Sequence, residues 1–420
     1  MEGGQAVISP MKAFIRSILP GLFLIGFNIG TGSVTAMAKA GANYGMALLW
    51  TILLSCLVTY YLIRLFGKYT IVTGETALAA FRKHIHPAFG MFLLVALTVN
   101  VSGGIMGVMG IVADVLHHWS LTWTDGGISP LIWASGSIAL IYAIFFVGTT
   151  STFEKALAAM VAFMGLCFFI NFVLMMPPVA DILNGLIPSV PETNATSNSS
   201  SYLVIAGMVG TTVSSMVFIV RTTLVKETGW GIKDMKIQNR DAAISATMMF
   251  LISASIMAAA AGTLYLAGQS LNDAKEMIPL LEPVAGKYGV AVFVIGITAA
   301  GLSSQFPNTL LLPWLLCDFF GWERNLKKFN FRMLVLVMSL LGLVVPIFHA
   351  RPVFVMVASQ AFASLVLPVT VGGIFYLTSN KKIMGEHANS STDNVILFLI
   401  FLFSLFMGGV GVRGFVQDFL

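Results

Sequence analysis

The chain has 420 residues, of which 57% are apolar and 10% charged, and its net charge is +5. A soluble domain carries about a quarter charged residues and about half apolar ones. The composition therefore excludes a soluble enzyme and points to a non-enzymatic protein that crosses a lipid bilayer many times.

The amino terminus opens on a polar stretch, Met1 to Ser9, then Lys12 and Arg16, without a small-residue cleavage site. An uncleaved first helix is expected. Apolar runs of bilayer length recur from there to the end. Eleven spans are expected, at about 14–40, 44–66, 88–116, 128–148, 153–177, 201–222, 241–268, 287–315, 331–350, 352–378 and 394–418. Each must be helical, because backbone in lipid has to satisfy its own hydrogen bonds. The fold class is thus an all-α polytopic membrane protein, with one transmembrane domain over residues 1–420.

With the amino terminus in the cytoplasm, eighteen of the 23 lysines and arginines fall on inner segments. Only Lys39, Lys275, Lys287, Arg351 and Arg413 fall on outer ones. This bias supports an odd number of spans and an outer carboxyl terminus, in the plasma or inner membrane. The basic excess is topological, and nucleic acid is not an expected partner. Cys56, Cys167 and Cys317 all lie in apolar runs, without ligand or disulfide spacing, and read as small core residues. The longest polar connection, "PSVPETNATSNSSS", lies on the outer side, and its Asn194 and Asn198 sequons read as chance matches in an Asn/Ser-rich loop. Leu271 to Ala285 is expected to form a short amphipathic outer helix, and Lys226 to Arg240 a basic inner counterpart at the headgroups.

Two spans are interrupted. Span one carries "GFNIGTGSVTAM" (Gly26–Met37), and span six carries "GMVGTTVSSMVFIVR" (Gly207–Arg221). Glycines mixed with hydroxyls weaken a helix. A single such segment suits close helix packing. Here a matched pair opens each of two five-span blocks, 14–177 and 201–378, of inverted topology, with 394–418 as an extra helix. Such a pair points to a transporter's central site, with spans one and six broken at mid-membrane.

"LPGLFLIGFNIGTGS" aligns without a gap to the pattern G-P-G-F-L…D-P-G-N, and "MVGTTVSSMVFIVRTTLV" to V-G-T-T-I-M-P-H-N-L. "AAGLSSQ" is similar to A-A-G-Q-S-S, and "SQAFASLVLP" to a tenth-span segment. From about Pro20 to Gly385 the chain resembles the NRAMP family, metal-ion transporters built on the LeuT-type inverted repeat. The resemblance implies that fold and alternating-access transport. It also implies metal ligands at the Asp and Asn of D-P-G-N and the Met of M-P-H, positions held here by Gly30, Ser33 and Ser214. The sixth-span Pro and His become Ser215 and Met216, and a second His becomes Arg221. The family's third-span acids fall near Asn100 and Gly103, and its eighth-span Gln falls at Leu302.

Neutral oxygens offset little of a divalent cation's desolvation. A half-helix that restarts after a break instead presents free N–H groups to an anion. The leading expectation is therefore a secondary transporter for a small anion or carboxylate-bearing solute, such as bicarbonate or an amino acid. Its binding residues would be Asn28, Gly30, Thr31, Gly32, Ser33, Thr211, Thr212, Ser214, Ser215 and Gln360, with Arg221 as a vestibule cation. No cofactor is expected; Na⁺ as a coupling ion would sit near Gly26, Ile29, Ser303 and Ser304. The alternatives are divalent-cation transport (Mn²⁺ or Mg²⁺) and a non-transporting receptor on the same scaffold.

Overall fold

The computed structural model describes residues 30–147, 163, 165–170, 173–174, 177–193, 196–281, 288–323 and 325–419. Their regular elements are all helical. The principal ones are α1 (Thr31–Tyr44), α2 (Leu49–Thr73), α3 (Pro87–Ser120), α4 (Pro130–Val147), α5 (Ser201–Thr212) and α6 (Ser215–Thr228). They continue with α7 (Met235–Ala260), α8 (Gly289–Phe320), α9 (Phe329–Leu340), α10 (Pro352–Ser379) and α11 (Ser391–Phe419). Among the described residues, nine helical stretches are long and apolar enough to cross a membrane, with α5 and α6 together forming one of them. Each matches an expected span. The remaining two expected spans fall largely outside the described residues: of span one only the part from residue 30 is described, and of span five only 163, 165–170, 173–174 and 177.

The helix ends follow local chemistry. α3 starts on Pro87, whose missing N–H costs nothing in a first turn, and His86 Nδ1 accepts from Ala88 N at 3.2 Å. α2 stops at Gly74 (φ 71°), a left-handed cap that a β-carbon would strain. The segment Ala274–Leu281 is a 3₁₀ helix, in keeping with the expected short element there. Lys226–Arg240 differs from expectation. It is no separate surface helix, since α6 runs on to Thr228 and α7 begins at Met235 after one 3₁₀ turn.

Packing separates a centre from a rim. α10 packs on α3, α5 and α11, α7 on α1 and α2, and α8 on α3. The most apolar window of α5–α6 is 94% buried within the protein, against 22% for α4 and 33% for the α9 stretch. Ile132 and Phe146 on α4, Phe329 and Val337 on α9 and Leu402 and Phe406 on α11 are exposed. Such a belt of large apolar side chains would be an aggregation surface in water and is the lipid contact of a multi-pass membrane protein. Cys56, Cys167 and Cys317 are buried and unbridged, as their apolar settings suggested.

Glu75, in the connection after α2, gathers Lys83 Nζ, His84 Nε2 (2.7 Å) and the Tyr69 hydroxyl (3.2 Å). Partial burial pushes its carboxyl up, but the hydrogen bonds from Lys83 and His84 outweigh this and hold it below the usual value of 4.5. A depressed folded value means stabilisation that is present above the ordinary pKa and lost as pH falls through the folded one. Melting temperatures of wild type and Glu75→Gln, measured in detergent, are expected to differ near neutral pH and to converge as pH falls through the depressed folded value.

Candidate functional site

The break in span six is sharp. α5 ends at Thr212, Val213 (φ −102°, ψ 59°) leaves the helix, and Ser214 (φ −81°, ψ 123°) is extended before α6 restarts. Two consecutive glycine-containing turns followed by four hydroxyl residues give the backbone little reason to stay helical. The freed Thr212 carbonyl accepts from Thr59 Oγ1 at 2.8 Å. In span one, Gly30 is extended (φ −102°, ψ −166°) and α1 starts directly after it. Neither Gly30 nor Ser214 supplies a side-chain cap, so both restarted helices keep free N–H groups at their first turns.

Between these two starts lies a cavity of about 60 Å³. Gly30, Gly32 and Ser33 line it from α1, and Thr211, Ser214 and Met216 from the span-six break. Asn100, Val101, Gly104 and Val108 contribute from α3, Ser304 and Asn308 from α8, and Gln360 from α10. At roughly 10–15 Å³ per water-sized sphere, the space admits a few waters or an ion with part of its shell.

Six of the ten residues expected at the substrate site meet here: Gly30, Gly32, Ser33, Thr211, Ser214 and Gln360. Three others do not. Thr31 is buried without a hydrogen-bond partner, and a β-carbon on Gly301 of α8 would lie 3.2 Å from its Oγ1. Thr212 donates to Met208 O at 2.9 Å, and Ser215 is buried outside the cavity lining. Helical periodicity explains this, because in α5 and α6 only one face can look onto the cavity. Asn28, Gly26 and Ile29 lie outside the described residues. Of the expected sodium hydroxyls, Ser304 lines the cavity, while both Ser303 and Ser304 donate to Ala300 O, at 3.0 and 2.7 Å.

Arg221 corrects the vestibule expectation. It is fully buried, and its Nη1 donates to Asp241 Oδ2 on α7 at 2.5 Å. Its Cζ stands 5.4 Å from the Trp230 ring centroid. The guanidinium is neutralised inside the bundle and presents no charge to a passing ion. Position on a helix near a span end could not reveal the Asp241 partner, which comes from another span.

Asn308 was missed by sequence reasoning. Its signal was an amide in an apolar span, four residues after Ser304 and so on the same helix face. Asn100 is locked in place, its Nδ2 donating to Ser359 O at 2.9 Å while Ser359 Oγ donates to Asn100 O at 3.1 Å. Gln360 Nε2 lies 3.6 Å from Met356 Sδ, which leaves its carbonyl oxygen for the cavity. The donor set is therefore neutral: hydroxyls, amide oxygens and the one lining residue that carries sulfur, Met216. Among the described residues no group of three His, Cys, Asp or Glu is placed to hold a metal.

Close approach of α5 to α10 closes the site from one side. A β-carbon on Gly210 would fall 1.7 Å from Gln360 O, a backbone atom that cannot swing away. Gly210→Ala is expected to destabilise the protein by about 1–3 kcal/mol through forced separation of the two helices. A lowered melting temperature in detergent checks this.

A lipid-embedded helical bundle wrapped around two broken helices, with a small polar cavity at the breaks, is the architecture of a secondary transporter. The chain belongs to the family described as natural resistance-associated macrophage protein-like (NRAMP), which it matches over residues 21–412. It is 26% identical over 408 residues, 93% of this chain and 89% of the relative, to the divalent metal cation transporter MntH of Ralstonia nicotianae. It is 23% identical over 413 residues, 95% and 93% of the two chains, to MntH of Caldanaerobacter subterraneus. The fold matches the manganese transporter of Eremococcus coleocola with a TM-score of 0.76 at 17% identity, covering 100% of this chain and 91% of that one. It also matches Mhp1 in its inward-facing conformation, with a TM-score of 0.61 at 17% identity and 100% and 94% coverage.

Proposed function

We propose that the protein is a secondary transporter of divalent metal cations that carries its cargo with part of the hydration shell retained. The observation that supports this most is the cavity itself: about 60 Å³, ringed by neutral oxygens and by Met216. Sites for drug-sized ligands occupy about 300–1,000 Å³, so a cavity this small favours an ion over a bulky organic solute. Curated relatives named as divalent metal cation transporters, matched over most of both chains, favour the cation alternative over the anion.

The donors differ from the family ligands implied by the resemblance, and the physical consequence is weak binding. Without a carboxylate, direct ligation offsets little of the desolvation of a double charge. A cation that keeps several waters needs fewer direct ligands, as Mg²⁺ does. A thioether at Met216 would in addition favour softer ions. It stands two residues after Ser214, where the family pattern has its Met. Calorimetric titration in detergent tests the reading. Saturable binding of Mn²⁺ or Mg²⁺ that is lost in Ser33→Leu supports it, and heats equal to buffer blanks contradict it.

A second reading has its own observation. The uncapped starts of α1 and α6 bring two positive helix ends to an acid-free cavity, which suits a small anion the size of bicarbonate. Titration with bicarbonate in the same cell separates the two. We further read residues 14–177 and 201–378 as inverted repeats, with the amino terminus cytoplasmic. If Na⁺ couples transport through Ser303 and Ser304, replacing external Na⁺ with choline is expected to abolish concentrative uptake into proteoliposomes. Unchanged uptake in choline would remove the sodium site.

A further inference from the structure

The chain carries a second buried cation with no counterpart in the central site. Lys39 lies on α1, nine residues beyond Gly30, or roughly 13 Å along the helix axis at 1.5 Å per residue. The charge count placed it on an outer segment, yet its side chain is fully buried. Its Nζ donates to Asn198 Oδ1 at 2.6 Å and to Leu271 O at 2.9 Å. One turn further on, Asn43 repeats the pattern: its Nδ2 donates to Ser197 Oγ at 3.0 Å, and its Oδ1 accepts from Leu271 N at 3.1 Å. The two side chains thus grip both of two connections, 196–198 and 270–272. Those connections are also tied to each other, Asn198 N donating to Asn272 Oδ1 and Asn272 Nδ2 to Thr196 O, each at 2.9 Å.

The gripped segments matter for the cavity. Residues 196–198 lead directly into α5, whose far end lines the cavity at Thr211, and α1 lines it from its own start. Both half-helices that flank the cavity are therefore fastened together on one face, above Thr35 and below bulk solvent. A buried ammonium with two neutral acceptors is held by charge-assisted hydrogen bonds, about twice as strong as neutral ones, with the carboxylates of Glu276, Asp418 and Asp273 adding longer-range attraction.

We propose that Lys39 is the positioning residue that pins the gate on this face shut, and that cargo exchange through this face requires it to release Asn198 and Leu271. The proposal rests on the alternating-access reading but needs no cargo for its test. Thr35 is fully buried one turn from Lys39 towards the cavity. Thr35→Cys is introduced into the full chain, reconstituted, treated with a polar maleimide, and its modification rate read by peptide mass spectrometry. Native Cys317, buried in α8, serves as an internal control. With Lys39→Met, Cys labelling at position 35 is expected to rise roughly tenfold while Cys317 stays slow, because the closed state loses its charge-assisted bonds. Asn198→Ala removes one acceptor and is expected to raise labelling in the same direction, which decides the matter if Lys39→Met does not fold. Lys39→Arg, which keeps the charge and the donors, is expected to label more slowly than Lys39→Met. Unchanged labelling at position 35 in both Lys39→Met and Asn198→Ala overturns the proposal. Equal acceleration at position 35 and Cys317 also overturns it, since that reports general loosening. Failure of metal binding or uptake leaves this result intact, so the two readings fail separately.

Discussion

Replacing Arg221 with methionine is expected to destabilise the protein by about 3–5 kcal/mol, the cost of leaving a buried charge without its partner. Asp241, only 1% exposed, would lose its buried ion-pair partner. Asp241→Leu is expected to cost a similar amount, because it strands a guanidinium whose Nε and Nη2 already lack partners among the described residues. The double variant, Arg221→Met with Asp241→Leu, is expected to recover most of the loss, since a packed apolar pair can replace a buried ion pair at little cost. Melting temperatures of the four proteins in one detergent check the cycle. Single variants that melt like wild type would show that the pair is solvated and the charge available to cargo. The outcome bears on function, because an exposed Arg221 would repel cations, whereas the neutralised pair does not.

The second large effect concerns the cavity. A leucine at Ser33 or Ser214 places an apolar side chain in a space of about 60 Å³ and removes one oxygen donor. Both variants are expected to reduce Mn²⁺ uptake to the background of empty liposomes, at a stability cost of about 1–3 kcal/mol from overpacking that leaves the protein folded. Met216→Leu keeps the volume and removes the sulfur. It is expected to leave Mg²⁺ transport in place and lower the preference for Mn²⁺ and softer ions. Retained uptake in Ser33→Leu and Ser214→Leu would move the cargo route away from this cavity.

Sequence reasoning reached the scaffold because bilayer physics leaves few options. Long apolar runs must be helices, and a glycine–hydroxyl interruption survives at depth only where protein surrounds it. The break at Val213–Ser214 is such a case, with Val213 fully buried and Ser214 facing the cavity. Six cavity residues were legible because they sit at or beside the interruptions. What stayed hidden came from other spans. Asn308 reaches the cavity because α8 packs on α3 and α1, and Asp241 neutralises Arg221 from α7. Lys39 looked like a lysine at a loop, and its burial depends on Asn198 and Leu271, which lie 159 and 232 positions away. Cargo was hard to read for a related reason. The donor types were readable, but the cavity's small volume arises from helices closing on one another.

The most direct measurement is an uptake panel in proteoliposomes holding the wild-type protein, offered Mn²⁺, Mg²⁺, bicarbonate and glycine in parallel, with Ser214→Leu as the reference. Accumulation of a divalent cation, absent in Ser214→Leu, with no accumulation of glycine, is the expected result. Accumulation of bicarbonate or glycine without either cation would contradict it.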